Sequence, residues 1–227
     1  MDMDAELRLD HSLVALEKDS GVYGLLELRA PEPAADASRP KLAIALVIDR
    51  SGSMVHEKLE VAKACAGYLA GRITSDDELA VVAYDDQVSL VAGLQGPGPG
   101  LGVAIGQIHP RGSTNLSGGW LKGTELLEGN TADVRRVLLL TDGLANVGIT
   151  DRGQLTAMSA SSAERGITTT TIGFGEGFDE ELLSAMADAG GGNDHFAATP
   201  DEAPSIFAEE FEGGEDGGPE PVGRDPP

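Results

Sequence analysis

Apolar and polar side chains alternate near the start of the chain. Over residues 6–30 the apolar positions fall every second residue, as at Leu7 and Leu9. This period is typical of strands with one face in water. Residues 31–40 are rich in Pro, Ala and Asp and favour a linker. We therefore expect residues 1–40 to form a short β segment followed by a linker.

From residue 41 the alternation gives way to unbroken apolar runs. The clearest runs are residues 42–48, 79–83 and 137–140. Runs of this kind suit strands buried on both faces, as in a parallel sheet covered by helices. Three further strands are predicted, at residues 88–94, 167–172 and 195–197.

Helical spacing separates these strands. Apolar residues three or four positions apart form one stripe, made of Leu59, Ala62, Ala66, Leu69 and Ile73. Further helices are predicted at residues 117–128, 152–164, 179–189 and 200–211.

Capping residues support the predicted helix starts, and we expect N-caps at Ser117, Asp151 and Asp179. Strands and helices alternate from residue 41 to residue 211. This order predicts a doubly wound α/β fold with a mostly parallel central sheet flanked by helices. Residues 212–227 consist largely of Gly, Glu, Asp and Pro and are expected to be a disordered tail.

The charge balance restricts the function. The chain of 227 residues has a net charge of −22. Nucleic-acid binding needs clustered Lys and Arg, so this class is not expected, and anionic lipid is an equally poor partner. An acidic surface suits cations or basic partners, and it also serves solubility alone.

One cysteine, Cys65, excludes a disulfide within the chain and a thiolate metal site. We expect Cys65 to be buried on its helix. The first residues lack the apolar segment of a signal peptide, and no apolar stretch reaches the length of a membrane span. The chain as it stands is therefore expected in the cytoplasm, without membrane insertion. A surface or extracellular location is the alternative if it is part of a longer protein.

Small oxygen-bearing side chains follow the first buried strand. Asp49 ends the apolar run, and Ser51 and Ser53 follow at alternate positions. Open α/β sheets bind ligands at the carboxyl ends of their strands. Carboxylate and hydroxyl oxygens are the ligands that hard cations such as Mg²⁺ prefer.

Two other segments offer similar groups. Asp142 follows the apolar run at residues 137–140, and Thr114 lies in a Gly-Ser-Thr loop just before a predicted helix. If these strands are neighbours, their side chains meet at one edge of the sheet. The sequence therefore predicts a cation site built from segments far apart in the chain.

Asp49, Ser51 and Ser53, then Thr114, then Asp142 resemble the metal-ion-dependent adhesion site of von Willebrand factor type A domains. The order, spacing and strand-end placement all match, and the resemblance covers about residues 41–211. The amino-acid sequence around these positions resembles that of bacterial members and of the inter-α-trypsin inhibitor heavy chains.

The resemblance implies a role for each residue. Ser51 and Ser53 bind Mg²⁺ directly, with Mn²⁺ or Ca²⁺ as alternatives. Thr114 binds directly when a ligand is engaged, and Asp49 and Asp142 bind directly or through water. One coordination position is left for an Asp or Glu of a protein partner. Bacterial members suggest an AAA+ ATPase as one such partner. The rim that contacts the partner is expected to contain Met54, His56, Asn115, Leu144 and Asn146.

Alternative interpretations exist. Each of the five residues taken alone fits a helix cap or a turn. A domain that keeps them but binds its partner without metal is a second possibility. A metal-dependent hydrolase or phosphatase is a third, but it needs a nucleophile or base besides the ligands. Ser51 stands where the second acid of an Asp-x-Asp nucleophile motif would be, so we do not expect an enzyme.

Glycines over residues 93–102 suggest a nucleotide-binding loop. Pro97 and Pro99 interrupt them, and no Lys follows as a phosphate loop requires. A flexible connection is the better interpretation.

Overall fold

Two antiparallel strands form the first of two units in this computed structural model. The structure describes residues 4–9, 23–29, 39–175 and 177–211. The units are Met1–Arg39 and Pro40–Pro227. In the first unit, β1 (Asp4–Leu9) pairs with β2 (Gly24–Arg29), with Leu7 opposite Leu26. The alternating pattern thus forms strands as predicted. Most of the predicted linker and the whole acidic tail lie outside the described residues.

The second unit is built on a six-stranded sheet with the order β5-β4-β3-β6-β7-β8. Neighbouring strands are parallel except for the antiparallel pair of β4 and β5. This confirms the predicted mostly parallel sheet. The strand bounds are β3 (Leu42–Asp49), β4 (Glu78–Tyr84), β5 (Val88–Gln95), β6 (Val134–Thr141), β7 (Ile167–Phe174) and β8 (Gly191–Ala197).

Helices cover both faces of this sheet, as a doubly wound fold requires. Apolar residues of α1, α2 and α6 pack on one face, and those of α3, α4 and α5 pack on the other. Short 3₁₀ turns lie at Gly52–Met54 and Pro200–Glu202. The helix bounds are α1 (Glu57–Ala70), α2 (Pro99–Gly106), α3 (Leu116–Leu127), α4 (Arg152–Glu164), α5 (Glu180–Ala189) and α6 (Ala203–Phe211).

Helix α2 corrects the expectation of a flexible connection. Leu101 and Ile105 are one helical turn apart and are both buried in the core. Pro99 lies in the first turn, where its missing N–H costs nothing. Burial of the two apolar side chains therefore offsets the poor helix propensity of the glycines in this helix.

The cap of α3 is a second correction. The Asn115 side chain, not Ser117, accepts the hydrogen bond from Gly118 N at 3.0 Å. Ser117 lies inside the helix, and its hydroxyl accepts from Ile149 N at 2.9 Å. Asp151 and Asp179 cap α4 and α5 as predicted.

Cys65 is buried as expected. Trp120 is buried as well, and its indole donates to Thr169 Oγ1 at 3.0 Å. Among the described residues, no helix combines the length and the apolar character needed to cross a membrane.

Glu210 fastens α6 to the sheet through a buried polar cluster. Its side chain is fully buried and pairs with Arg136 of β6. It also accepts from Thr170 Oγ1 at 2.9 Å and Asn193 Nδ2 at 2.7 Å, and His195 Nε2 lies 2.7 Å away. Burial by itself raises the pKa of Glu210, but the bonds to His195 and Asn193 and the charge of Arg136 outweigh it and lower the pKa.

Replacing Glu210 by Gln should destabilise the fold in a pH-dependent way. We expect a loss of about 2 kcal/mol in unfolding free energy near neutral pH, since hydrogen bonds to a charged group are lost. Because the folded-state pKa lies below the usual 4.5, this contribution is complete above that value and fades as the pH falls through the folded pKa. Urea unfolding from pH 7 to pH 3 measures this. Glu164, an exposed residue of α4, is replaced by Gln as the control and should show neither effect.

Close packing of α3 on β3 gives a second prediction. A Cβ at Gly123 would lie 2.5 Å from Val47 Cγ2, whereas a Cβ at Gly67 of α1 would meet nothing within 4 Å. Gly123→Ala should cost about 2 kcal/mol through overpacking. Gly67→Ala should instead stabilise by about 0.5 kcal/mol through helix propensity. Thermal unfolding of both variants tests the contrast, and equal effects would contradict the packing described.

Candidate cation-binding site

The predicted residues lie where the strand order of the sheet reverses. From β3 the chain continues to β4 on one side, while β6 lies on the other side of β3. Ligands of open α/β sheets bind at such a point, outside the carboxyl ends of the strands. Asp49 is the last residue of β3, and Asp142 directly follows the last residue of β6. Both carboxylates are therefore at this edge.

Asp49 is fully buried and held by its neighbours. Its Oδ1 accepts from Ser51 N at 2.8 Å, and its Oδ2 accepts from Thr141 Oγ1 at 2.7 Å and from the Tyr84 hydroxyl at 3.3 Å. Burial raises the pKa of Asp49, the hydrogen bonds from Thr141 and Ser51 oppose this, and the negative charge of Asp142 raises it further. The carboxylate is thus fixed in position close to a second negative group.

Ser51 and Ser53 present their hydroxyls side by side. Their Oγ atoms are 3.1 Å apart, with Ser51 buried and Ser53 half-buried. The 3₁₀ turn between them is closed by Met54 N donating to Ser51 O at 3.0 Å. Gly52 N donates to Gly112 O at 3.0 Å, which joins this loop to the loop of Thr114.

Thr114 is buried between the other two loops. Its N–H donates to Asn146 Oδ1 at 2.9 Å. Its carbonyl accepts from the N–H groups of Asn146 and Val147, both at 3.1 Å. Asn146 therefore holds the Thr114 loop against the loop that follows β6.

Asp142 is fully buried and pairs with Lys58, which lies outside the sequence motif. Lys58 Nζ donates to Asp142 Oδ2 at 3.1 Å. The Asp142 carbonyl accepts from Asp179 N at 3.0 Å, which fixes the loop from the other side. Direct hydrogen bonds thus join the Ser51 loop to the Thr114 loop, and the Thr114 loop to the loop that follows β6.

The predicted rim is partly corrected. His56, Leu144 and Asn146 are exposed. Met54 is fully buried in the core cluster beneath the loop, so it is not available to a partner. Asn115 is half-buried and caps α3, which uses its side-chain oxygen.

Phe196 is an exposed residue at this edge that the predicted rim did not include. It pairs with Gly173 of β7, which in turn pairs with Thr141 of β6, so it lies on the same row across the sheet. Its ring stacks on Phe178 with centroids 5.2 Å apart. An isolated aromatic in a polar segment gave no sequence signal for this position.

Asp85 is a second residue of this edge that no sequence pattern predicts. Its Oδ2 accepts from Arg50 Nε at 2.7 Å and from Arg111 Nε at 2.6 Å. Arg50 lies within the Ser51 loop and Arg111 begins the Thr114 loop. Burial alone raises the pKa of Asp85, but the bonds from Arg111 and Gln87 and the charge of Arg50 hold it below the usual 3.8. Asp85 thus ties both hydroxyl-bearing loops together.

The donor set favours a hard cation. Among the described residues, no group of three or more His, Cys, Asp or Glu side chains gathers at one point. The predicted donors are two carboxylates and the hydroxyls of Ser51, Ser53 and Thr114. These oxygen donors fit Mg²⁺ or a similar ion and lack the sulfur and nitrogen ligands typical of structural zinc.

Fold and site together define a class: open α/β domains with carboxylates and hydroxyls at the switch point of a mostly parallel sheet. A model of the von Willebrand factor type A domain matches residues 43–209. The chain belongs to this family.

Two relatives illustrate the match. An uncharacterised protein of Synechocystis sp. is 32% identical over 177 residues, covering 77% of this chain and 42% of the relative. Inter-α-trypsin inhibitor heavy chain H1 of Mesocricetus auratus is 28% identical and covers 63% of this chain and 17% of the heavy chain. The chain therefore spans less than half the length of either relative.

Solved structures show the same fold. A von Willebrand factor type A protein from Catenulispora acidiphila superposes with a TM-score of 0.66 at 23% identity, covering 92% of this chain and 48% of that one. Proximal thread matrix protein 1 from the mussel byssus, solved with zinc in its adhesion-site motif, gives a TM-score of 0.62 at 21% identity, covering 77% and 46%.

Removing the charge of Asp85 should loosen the site without touching a predicted ligand. We expect Asp85→Asn to lower the unfolding free energy by about 2 kcal/mol, because a buried acceptor of charged hydrogen bonds is weakened. Hydrogen exchange at the amides of Gly52 and Asn115 should also rise. Asp76→Asn, the same change at an exposed position that precedes the opposite end of β4, is the control. Unchanged exchange in Asp85→Asn would show that the two loops hold their positions without it.

Proposed function

We propose that the chain is a divalent-cation-dependent protein-binding module. In this proposal Asp49, Ser51, Ser53, Thr114 and Asp142 hold the cation, and a partner's Asp or Glu carboxylate completes its coordination. The observation that carries it is the position of two buried carboxylates at the switch point of the sheet, next to the paired hydroxyls of Ser51 and Ser53 and the buried loop residue Thr114. When bound, the cation supplies a positive point that a carboxylate recognises.

The hydrogen bonds suggest which of these residues contact the cation directly and which act through water. Both oxygens of Asp49 already accept hydrogen bonds, which suits a carboxylate that acts through water. Ser51 and Ser53 place their hydroxyls next to each other and suit direct contact. The backbone of Thr114 is fixed by Asn146, which holds this residue at the same edge.

A binding role is favoured over hydrolysis. Hydrolysis needs a base or nucleophile in addition to the ligands of the metal. At this edge Asp49 is engaged by three donors and Asp142 by Lys58. In this proposal both carboxylates also hold the cation, which leaves neither as the additional base or nucleophile.

Mg²⁺ is the proposed resident ion, because carboxylate, hydroxyl and water are its usual ligands. Mn²⁺ accepts the same oxygen donors and serves as a probe. The proposed contact surface for the partner comprises the exposed side chains at this edge, namely His56, Leu144, Asn146 and Phe196.

Cation-dependent stability tests this function. Mg²⁺ or Mn²⁺ at about 100 times its dissociation constant should stabilise the chain by about 2.7 kcal/mol. That corresponds to a rise of roughly 5–10 °C in the melting temperature. Asp49→Ala should abolish the rise, because it removes one of the two carboxylates. Differential scanning calorimetry with Mg²⁺ and with EDTA makes the comparison.

Two further variants sharpen this test. Ser53→Ala changes a half-buried hydroxyl without disturbing the core and should reduce the cation response. Asp76→Ala removes an equal charge at an exposed position away from the edge and should leave the response intact. Equal responses in wild type, Asp49→Ala and Ser53→Ala would reject the cation site and favour a domain that binds partners without metal.

A further inference from the structure

Lys58 brings a positive charge into the proposed cation site. It lies in the first turn of α1, and its ammonium donates to the buried carboxylate of Asp142. Its side chain is only 25% exposed. The other cations near these loops, Arg50 and Arg111, are both engaged by Asp85. Among the described residues, Lys58 is therefore the cation near these loops that contacts a predicted ligand.

The path of the Lys58 side chain is shaped by the fold. Its aliphatic part lies against Gly175, where a Cβ would come within 2.3 Å of Lys58 Cε. Gly175 has a φ of 77°, which favours glycine at that position. Lys58 also lines a pocket of about 500 Å³ with Val61 and Phe174. The Lys58 side chain thus passes over Gly175, and its ammonium contacts the buried carboxylate of Asp142 rather than extending into water.

Such burial of an ion pair carries a cost. Removing both charges from water costs several kcal/mol per ion, and their attraction only partly offsets this. A lysine that served solubility alone would extend into solvent, as its long flexible stem allows. The ion pair of Lys58 with Asp142 therefore indicates a functional role in addition to any effect on stability.

The consequence follows from the charge at the site. Two carboxylates, Asp49 and Asp142, would together neutralise a divalent cation. With the ammonium of Lys58 beside them, the assembly keeps one positive charge. Positive charge next to the site repels the cation and attracts an anion.

We propose that Lys58 keeps the cation site electropositive, so that it binds the cation more weakly but holds the incoming carboxylate more tightly. This inference rests on the proposed function, since it requires that a cation binds at Asp49 and Asp142. It identifies Lys58 as a residue that tunes ligand affinity without contacting the ligand.

The test uses Mn²⁺ alone and then acetate as the simplest carboxylate. Electron paramagnetic resonance gives the Mn²⁺ affinity, and the relaxation of water protons by bound Mn²⁺ falls as acetate displaces water. We expect Lys58→Met to bind Mn²⁺ about tenfold more tightly and acetate about tenfold more weakly than wild type. The opposite signs separate this role from a general loss of structure, which would weaken both.

Matched variants complete the design. Lys58→Gln keeps a donor for Asp142 without the charge and should behave like Lys58→Met even if the latter folds poorly. Lys58→Arg keeps the charge and should resemble wild type. Lys63→Met removes a comparably covered lysine that pairs with Glu60 on the same helix, and it should change neither affinity.

The outcomes are distinguishable. Unchanged affinities in both Lys58→Met and Lys58→Gln, with Mn²⁺ bound normally by wild type, overturn the role of Lys58 and leave the cation site intact. Absence of Mn²⁺ binding in wild type and in all variants overturns the proposed function, and this inference falls with it.

Discussion

The burial of β3 is the constraint on which the site depends. All eight residues of this strand are buried, and it lies between β4 and β6 in the centre of the sheet. The pairing of β3 with β4 sets Asp49 beside Tyr84, and its pairing with β6 brings Thr141 alongside. Both neighbours donate hydrogen bonds to Asp49. The same apolar packing that forms the core therefore carries a charged group to the centre of the edge and provides its partners.

Much of this arrangement is readable from the sequence, because the relevant patterns are local. Apolar runs predict buried strands, and a polar residue at the end of such a run predicts the edge. The failures have equally local causes. Helix α2 was not predicted, because glycine and proline have poor helix propensity. The spacing of Leu101 and Ile105 was nevertheless a usable signal. The motif gave the position of Met54 but not the direction of its side chain, which points into the core.

The unpredicted part consists of polar contacts between segments far apart in the chain. Arg50 and Asp85 are separated by 35 positions, Lys58 and Asp142 by 84, and Arg136 and Glu210 by 74. No periodicity links such pairs, because they depend on how finished elements pack. Each also matters for how the edge or the last helix is held. Sequence patterns thus locate the candidate ligands, whereas the residues that position them require the folded structure.

The overall charge of the chain poses a problem for the proposed partner. A net charge of −22 repels an acidic protein at long range, yet the proposed ligand is a carboxylate. At physiological ionic strength this repulsion is screened beyond about 8 Å, so charges near the contact dominate once the partner arrives. Asp85 engages both Arg50 and Arg111 and holds the loops, while Lys58 is turned towards Asp142. In this interpretation Arg50 and Arg111 stabilise the loops, whereas Lys58 sets the electrostatic potential at the proposed cation site. An acidic surface is then compatible with an electropositive docking point a few ångströms wide.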